Sequence, residues 1–83
     1  MNGEADAQIL WEKRGKHMGS GLDKRGYGVS VFTIDEESCQ SCGQPAPYLL
    51  NLKTHSPTTQ AFTFCKDDAN KFLVNFGLKF RLQ

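Results

Sequence analysis

The sequence predicts one small α+β domain, and three observations carry that prediction. The chain has 83 residues, enough for a single core and too few for a second. In the runs 27–34, 48–53 and 61–65 side chains alternate with a period of two, the signature of strands. From Ala69 to Phe76 the period becomes helical: Ala69, Phe72, Leu73 and Phe76 fall at i, i+3, i+4 and i+7 and share one face. Ten Lys and Arg against nine Asp and Glu give a net charge of +1, so no global field draws in a polyanion. The longest apolar runs are three residues, too short for a membrane span or the core of a signal peptide.

In chain order, Glu4 to Arg14 predicts a short helix with Ala7, Leu10 and Trp11 on one face and Gly15 as its stop. At about three turns it is marginal without tertiary support. The stretch 15–26 holds four glycines in twelve residues and reads as a flexible loop. Residues 1–26 are thus expected as a basic, glycine-rich arm on a core of residues 27–83, all within one domain. In the run 27–34, Tyr27, Val29, Val31 and Thr33 alternate with a second set that includes Phe32 and Ile34. Both sets carry β-formers, so the strand should be covered on both faces or bent midway. Asp35 to Ser38 ends it, and Pro45 and Pro47 forbid a helix just beyond. Tyr48, Leu50 and Leu52 predict one strand, Phe62 and Phe64 another, with turn chemistry from Thr54 to Thr59 between them: a β-hairpin. Asp67 and Asp68 sit in the first turn of the next helix, where its dipole favours negative charge, and Gly77 stops it. The tail from Leu78 to Leu82 alternates and predicts a last strand.

Three cysteines cannot close into an intrachain disulfide set. Cys39-x2-Cys42-Gly43 has the form of a metal-binding knuckle: two intervening residues let both thiolates reach one ion, and the glycine permits the positive φ such a turn needs. Twenty-two residues separate Cys42 from Cys65, slightly more than the gap of about 15–20 usual in paired C-x2-C sites. The hairpin uses them and returns the chain to the knuckle, placing Cys65 at the start of the helix. Asp68 stands where a second C-x2-C would put its last cysteine, and a carboxylate oxygen can ligate Zn²⁺ at about 2.0–2.2 Å. The expected metal set is Cys39, Cys42, Cys65 and Asp68. His55, in the predicted hairpin turn, His17 and water are the alternatives for the fourth place. The alternative to a metal site is a reduced CxxC plus a buried core thiol; a redox CxxC normally opens a helix in a βαβ setting, which Pro45 and Pro47 argue against.

On these residues the segment 38–77 resembles the treble-clef family of zinc modules, and is similar in layout to the small zinc-binding domain of the Clp unfoldase: CxxC knuckle, hairpin, then a ligand pair opening a helix. The resemblance implies a zinc-stabilised fold with an added N-terminal helix and further strands. The family usually closes its site with Cys or His, and this sequence departs from it at Asp68. From Cys39 to Gly77 the chain is also close to the size of about 40 residues below which a core needs a staple, and metal binding would supply folding free energy directly.

Other chemistry is sparse. Gly19-x-Gly21 followed by Gly26 does not fit a phosphate loop. Asp35, Glu36 and Glu37 read as a solvated strand end, and no HxE precedes the cysteines as a zinc deaminase requires. Catalysis on a small-molecule substrate is therefore not expected. Lys13, Arg14, Lys16, Lys24 and Arg25, against Asp23 alone, leave a local excess of four positive charges that could follow a phosphate backbone, extended by Lys79 and Arg81 if the last strand lies beside Tyr27–Ile34. Ile9, Leu10 and Trp11 are candidates for an apolar patch facing a partner. Two functions follow as expectations: a protein-interaction adaptor or inhibitor of a larger assembly, or a nucleic-acid-binding accessory protein using residues 13–25. Thiols that read as ligands point to a reducing, cytoplasmic setting.

Overall fold

A computed structural model describes residues 3–54 and 59–83. Four strands, β1 (His17–Leu22), β2 (Gly28–Thr33), β3 (Tyr48–Lys53) and β4 (Thr59–Phe64), form an antiparallel meander whose spatial order is the chain order. Two helices, α1 (Gly3–Glu12) and α2 (Lys66–Asn75), complete the α+β fold. No helix among the described residues is long and apolar enough to cross a membrane.

The period-two pattern of β2 and β3 becomes register. Val29 lies opposite Leu52, Val31 opposite Leu50, and Phe32 opposite Leu49. On one face Val29, Val31, Leu50 and Leu52 meet Ala69 and Leu73 of α2, and Leu78 and Leu82 close the same core. Aromatic rings seal its flank, with Phe72 stacked 4.2 Å from Phe76 and tilted against Phe62 at 5.7 Å. Phe32 and Leu49 point to the opposite face, as alternation requires. There Trp11 meets Phe32 edge-on at 5.1 Å, in the T-shaped arrangement that ring quadrupoles favour. The doubled pattern of β2 is thus a strand covered on both sides.

Two expectations from the sequence differ from the structure. The stretch 15–26 is not a flexible loop, because it contains β1, paired with β2 along its length. Its glycines serve close approach: a Cβ at Gly19 would lie 3.0 Å from the Phe80 ring, and one at Gly21 would lie 3.0 Å from Leu78. They leave room for the C-terminal tail on the core face. The tail, in turn, is not a strand. Leu78 and Leu82 are buried and Phe80 is packed against the same core, so the alternation is real, but no ladder forms. Side chains meet the tail's backbone instead. Asn70 bonds both the N–H and the C=O of Leu82, at 2.8 and 2.9 Å, and the Arg81 guanidinium donates to the carbonyls of Leu78 and Phe80. A smaller difference is that α1 ends at Glu12, with Lys13 and Arg14 in the turn that follows.

The β1–β2 turn is organised by Asp23, whose side chain is fully buried. Its Oδ1 accepts the backbone N–H of Arg25 and of Tyr27, each at 2.9 Å, and its Oδ2 accepts from the Arg25 guanidinium at 3.2 Å. Burial alone would raise the Asp23 pKa, but the N–H groups of Tyr27 and Arg25 and the Arg25 charge outweigh it, and the carboxyl titrates below its ordinary range. A depressed folded pKa means that this stabilisation is complete above the unfolded carboxylate range, near pH 4, and is lost as pH falls through the folded value. Acid titration of the wild type and Asp23→Asn should therefore show a smaller loss of stability below pH 4 in the variant.

Gly19→Val should destabilise the fold by about 1–3 kcal/mol through overpacking against Phe80. In a Phe80→Ala background the same substitution should cost less, a coupling that a denaturant double-mutant cycle reads directly.

Candidate metal centre

After β2 the chain crosses to a tight turn that carries the first two cysteines. Ser38 and Pro45 form an isolated bridge, the Cys39 N–H donates to the Gln44 carbonyl at 2.7 Å, and the Gly43 N–H donates to the Cys39 carbonyl at 2.9 Å. Gly43 has φ +77°. Nothing lies within 4 Å of where its Cβ would be, so glycine is required here for its backbone conformation and not for space.

This knuckle docks on the outer edge of β4. The Gln40 N–H donates to the Thr63 carbonyl at 2.9 Å, the Thr63 N–H donates to Gln40 Oε1 at 2.8 Å, and the Thr63 hydroxyl donates to the Ser38 carbonyl at 2.8 Å. Thr63 is buried. One residue beyond the end of β4, Cys65 takes the N-cap position of α2 with φ −68° and ψ 168°, and its carbonyl accepts the first helical N–H, from Ala69, at 2.9 Å. Its thiol makes no capping bond to the helix backbone and is left for the cluster. Asp68 projects from the first turn of α2 into the same place.

The four expected ligand residues come together. Asp68 Oδ2 lies 3.2 Å from Cys39 Sγ and 3.3 Å from Cys65 Sγ, and Cys42 Sγ lies 3.7 Å from Cys65 Sγ. One ligand atom from each residue falls within 4.8 Å of all the others. Burial is graded across the site: Cys39 is buried, Cys65 and Asp68 are half-buried, and Cys42 is exposed. Burial raises the Cys39 thiol, yet the backbone N–H groups of Cys65, Cys42 and Ser41 outweigh it, and its pKa falls below the ordinary value. Cys42 goes the other way, to about 11. The Gln44 N–H favours its thiolate, but burial and hydrogen bonding with Cys39, Cys65 and Asp68 prevail. The Cys39 and Cys65 thiols that donate to Asp68 hold its carboxyl below the usual carboxylate range. Such a set, three soft sulfurs and one oxygen converging at contact distance, can hold a metal ion.

The alternatives for the fourth place fare differently. His17 lies on β1 with its ring 5.1 Å from Phe32 and is not in the cluster. His55 lies outside the described residues. Asp67 is exposed on α2, and Asp68 is the acid that enters the cluster.

The five basic residues are not brought together. Lys13 pairs with Glu37, and the Arg14 guanidinium lies 3.9 Å over the Trp11 ring. Arg25 pairs with Asp23 and lies 4.4 Å over Tyr27, while the Lys24 stem lies against Gly77. Lys16 and Lys24 flank the two ends of β1, roughly 20 Å apart at strand rise. Lys79 and Arg81 do not extend a patch beside β2, whose neighbours are β1 and β3. Trp11, half-buried between Phe32 and Arg14, serves the fold, whereas Ile9 remains exposed. The residues that sequence reasoning missed are Gln40 and Thr63. A lone threonine between two phenylalanines in β4 was the available signal, but its role depends on a loop that pairs only in three dimensions. The chain matches no protein-family model, no curated protein and no solved structure.

Removing the Thr63 hydroxyl by Thr63→Val strands the Ser38 carbonyl and should cost about 1–3 kcal/mol. The loss should fall on the knuckle first, so hydrogen exchange at Gln40 to Gly43 should accelerate more than exchange in β2 and β3.

Proposed function

We propose that the Cys39, Cys42, Cys65 and Asp68 cluster is a structural zinc site, and that the chain is a small zinc-stabilised binding module of the treble-clef kind. The observation that carries this reading is the convergence of four ligand atoms from a knuckle, the end of a hairpin and the first turn of a helix, in that order. A tetrahedral ion with Zn–S of about 2.3 Å and Zn–O of about 2.0–2.2 Å spaces its ligands about 3.5–3.8 Å apart. The contacts of 3.2, 3.3 and 3.7 Å lie close to those spacings, in a set whose four ligand atoms all fall within 4.8 Å of one another. Thiolate-rich, four-coordinate sites suit Zn²⁺. Four protein ligands leave no position for a substrate or an activated water, which favours a structural ion over a catalytic one.

The role we assign is binding to a protein in a reducing compartment, as an adaptor or inhibitor of a larger assembly. Exposed apolar side chains support it, notably Leu22 at 67% and Met18 at 41%, both on β1, which lies at the edge of the sheet. Such an edge can accept a partner strand. A nucleic-acid role would need a contiguous basic face, and the engagement of Lys13, Arg14 and Arg25 within the fold, at opposite ends of β1, counts against one.

Elemental analysis of the purified chain should find one equivalent of zinc, lost in Cys65→Ala. Asp68→Ala should weaken metal affinity at least tenfold, while Asp68→Cys should retain the ion. Affinity should fall as pH falls, because the thiolates must be deprotonated to bind. A metal-free chain with an unchanged melting transition would overturn the zinc reading. For the binding role, fluorescence titration with single- and double-stranded oligonucleotides at low salt should show no saturable binding. Steep, salt-sensitive binding lost in Lys16→Glu or Lys24→Glu would return the nucleic-acid role.

A further inference from the structure

The four ligands are chemically unequal, and the inequality has a direction. Cys39 is buried at 3% exposure. Cys42 is exposed, on the solvent side of the cluster. Cys65 Sγ lies 3.7 Å from it, and Asp68 Oδ2 lies 3.2 Å from Cys39 Sγ. Asp68 Oδ2 is also 3.3 Å from Cys65 Sγ, so the carboxylate bridges both thiols and keeps its contact with Cys39 when Cys65 turns to Cys42, the sulfur nearest solvent.

We propose that the site is a peroxide-responsive switch in which Cys42 and Cys65 oxidise to a disulfide and release the metal, while Cys39 and Asp68 stay paired beneath. This inference rests on the zinc reading above. The oxidant is a hydroperoxide such as H2O2. Cys42 Sγ attacks a peroxide oxygen: an S–O bond forms, the O–O bond breaks, and hydroxide leaves. Cys65 Sγ then attacks Cys42 Sγ, forming the S–S bond and expelling the second hydroxide. Two electrons pass from the sulfurs to the peroxide, two thiolates become one disulfide, and the ion loses two of its four ligands. Cys39 takes one proton from water as the ion leaves, and its S–H donates to Asp68 across the 3.2 Å contact.

Two features make this pairing the favoured one. Attack begins at a reachable thiolate: Cys42 is the exposed cysteine of the three, and a bound metal ion would hold it deprotonated. The product leaves no stranded charge, because the two remaining ligands already form a hydrogen-bonded pair, and an unpaired buried ion is what would otherwise unfold the site. The new bond also ties the knuckle to the start of α2, closing a loop in the same place as the ion. Since Thr63 holds the knuckle on β4 independently, the sheet and α2 should survive the change. The switch would alter the metal and the surface around Cys42, not the fold.

The test uses the full chain, loaded with zinc and assayed for metal before oxidant is added. Treatment with H2O2 should release about one equivalent of zinc to a chromogenic chelator and consume two thiols per chain. Peptide mapping should find Cys42 joined to Cys65 with Cys39 still alkylatable, far-UV circular dichroism should be retained, and thiol reductant with zinc should restore the loaded state. Cys42→Ser, which removes the first sulfur to react, should slow peroxide-driven zinc release at least tenfold; for a variant that holds too little zinc to assay, the rate of thiol consumption gives the same comparison. A disulfide containing Cys39, or zinc retained at peroxide levels that fully consume glutathione, overturns the switch while leaving the zinc site standing. A chain that carries no zinc before oxidation overturns the metal reading and the switch with it.

Discussion

The knuckle's attachment to the free edge of β4 is the constraint on which the site depends. Cys39 and Cys42 are far in sequence from Cys65 and Asp68, and only two things bring them together. One is the β3–β4 hairpin, which runs out from the knuckle and back. The other is the set of three hydrogen bonds that Thr63 makes with Ser38 and Gln40. The hairpin alone returns the chain to the right neighbourhood, but a loop held only at its ends would leave the sulfurs free to move over several ångströms. Pairing Gln40 and Ser38 with Thr63, two residues before Cys65, fixes the distance between the two halves of the cluster. It also satisfies backbone groups on the outer side of β4 that an edge strand would otherwise present to other chains.

The same arrangement sets the electrostatics. Three thiolates and a carboxylate around a divalent ion would leave the site two charges negative. That excess must be met by dipoles, since Lys71 approaches Asp68 only at 4.0 Å and is itself largely exposed. The dipoles are present by construction. The knuckle turns its N–H groups toward Cys39 and Cys42, and the cluster sits over the N-terminus of α2, where the helix field favours anions. The secondary structure that positions the ligands also stabilises their charge. With those dipoles in place, a carboxylate in the first turn of the helix could serve where a fourth cysteine would be expected.

Local regularities were legible in the sequence and long-range choices were not. The period of two in Tyr48–Leu52 and Phe62–Phe64 and the period of 3.6 in Ala69–Phe76 both reappear as elements, because each reports which side of a short segment meets the core. The convergence of Cys39, Cys42, Cys65 and Asp68 was legible for a related reason: spacing within Cys39–Cys42 and Cys65–Asp68 is local, and a hairpin between them has one way to close. In sequence Gly19 and Gly21 suggest flexibility, because a glycine looks the same whether it frees a backbone or makes room for Phe80 and Leu78. The tail from Leu78 to Leu82 looks like a strand in sequence because alternation marks a buried face and does not say whether the backbone finds a ladder. Asn70 and Arg81 decide that, and neither announces its partner in the sequence. The basic residues were misleading in the same way. Their sum is visible in the composition, but their engagement with Glu37, Trp11 and Asp23 is a property of the fold.

The distribution of the core explains where a metal staple is of most use. The apolar centre of the sheet lies on β2 and β3, where Val29, Val31, Leu49 and Leu50 are all essentially sealed from water, and α2 closes one side of it through Ala69 and Leu73. The crossing from Ile34 to Pro47 contributes only Ile34, Cys39 and Ala46 to buried hydrophobic surface. Hydrophobic burial therefore holds the sheet together without an ion, but gives the crossing little reason to adopt one conformation. Hydrogen bonds to Thr63 partly supply that reason, and each contributes only about 0.5–1.5 kcal/mol net. An ion bound by Cys39 and Cys42 on one side and by Cys65 and Asp68 on the other would act at the point where the hydrophobic contribution is smallest. It would couple the crossing to the helix that seals the core. Stability would then divide into a sheet that persists on its own and a metal-dependent corner, and the exposed Cys42 lies on the corner.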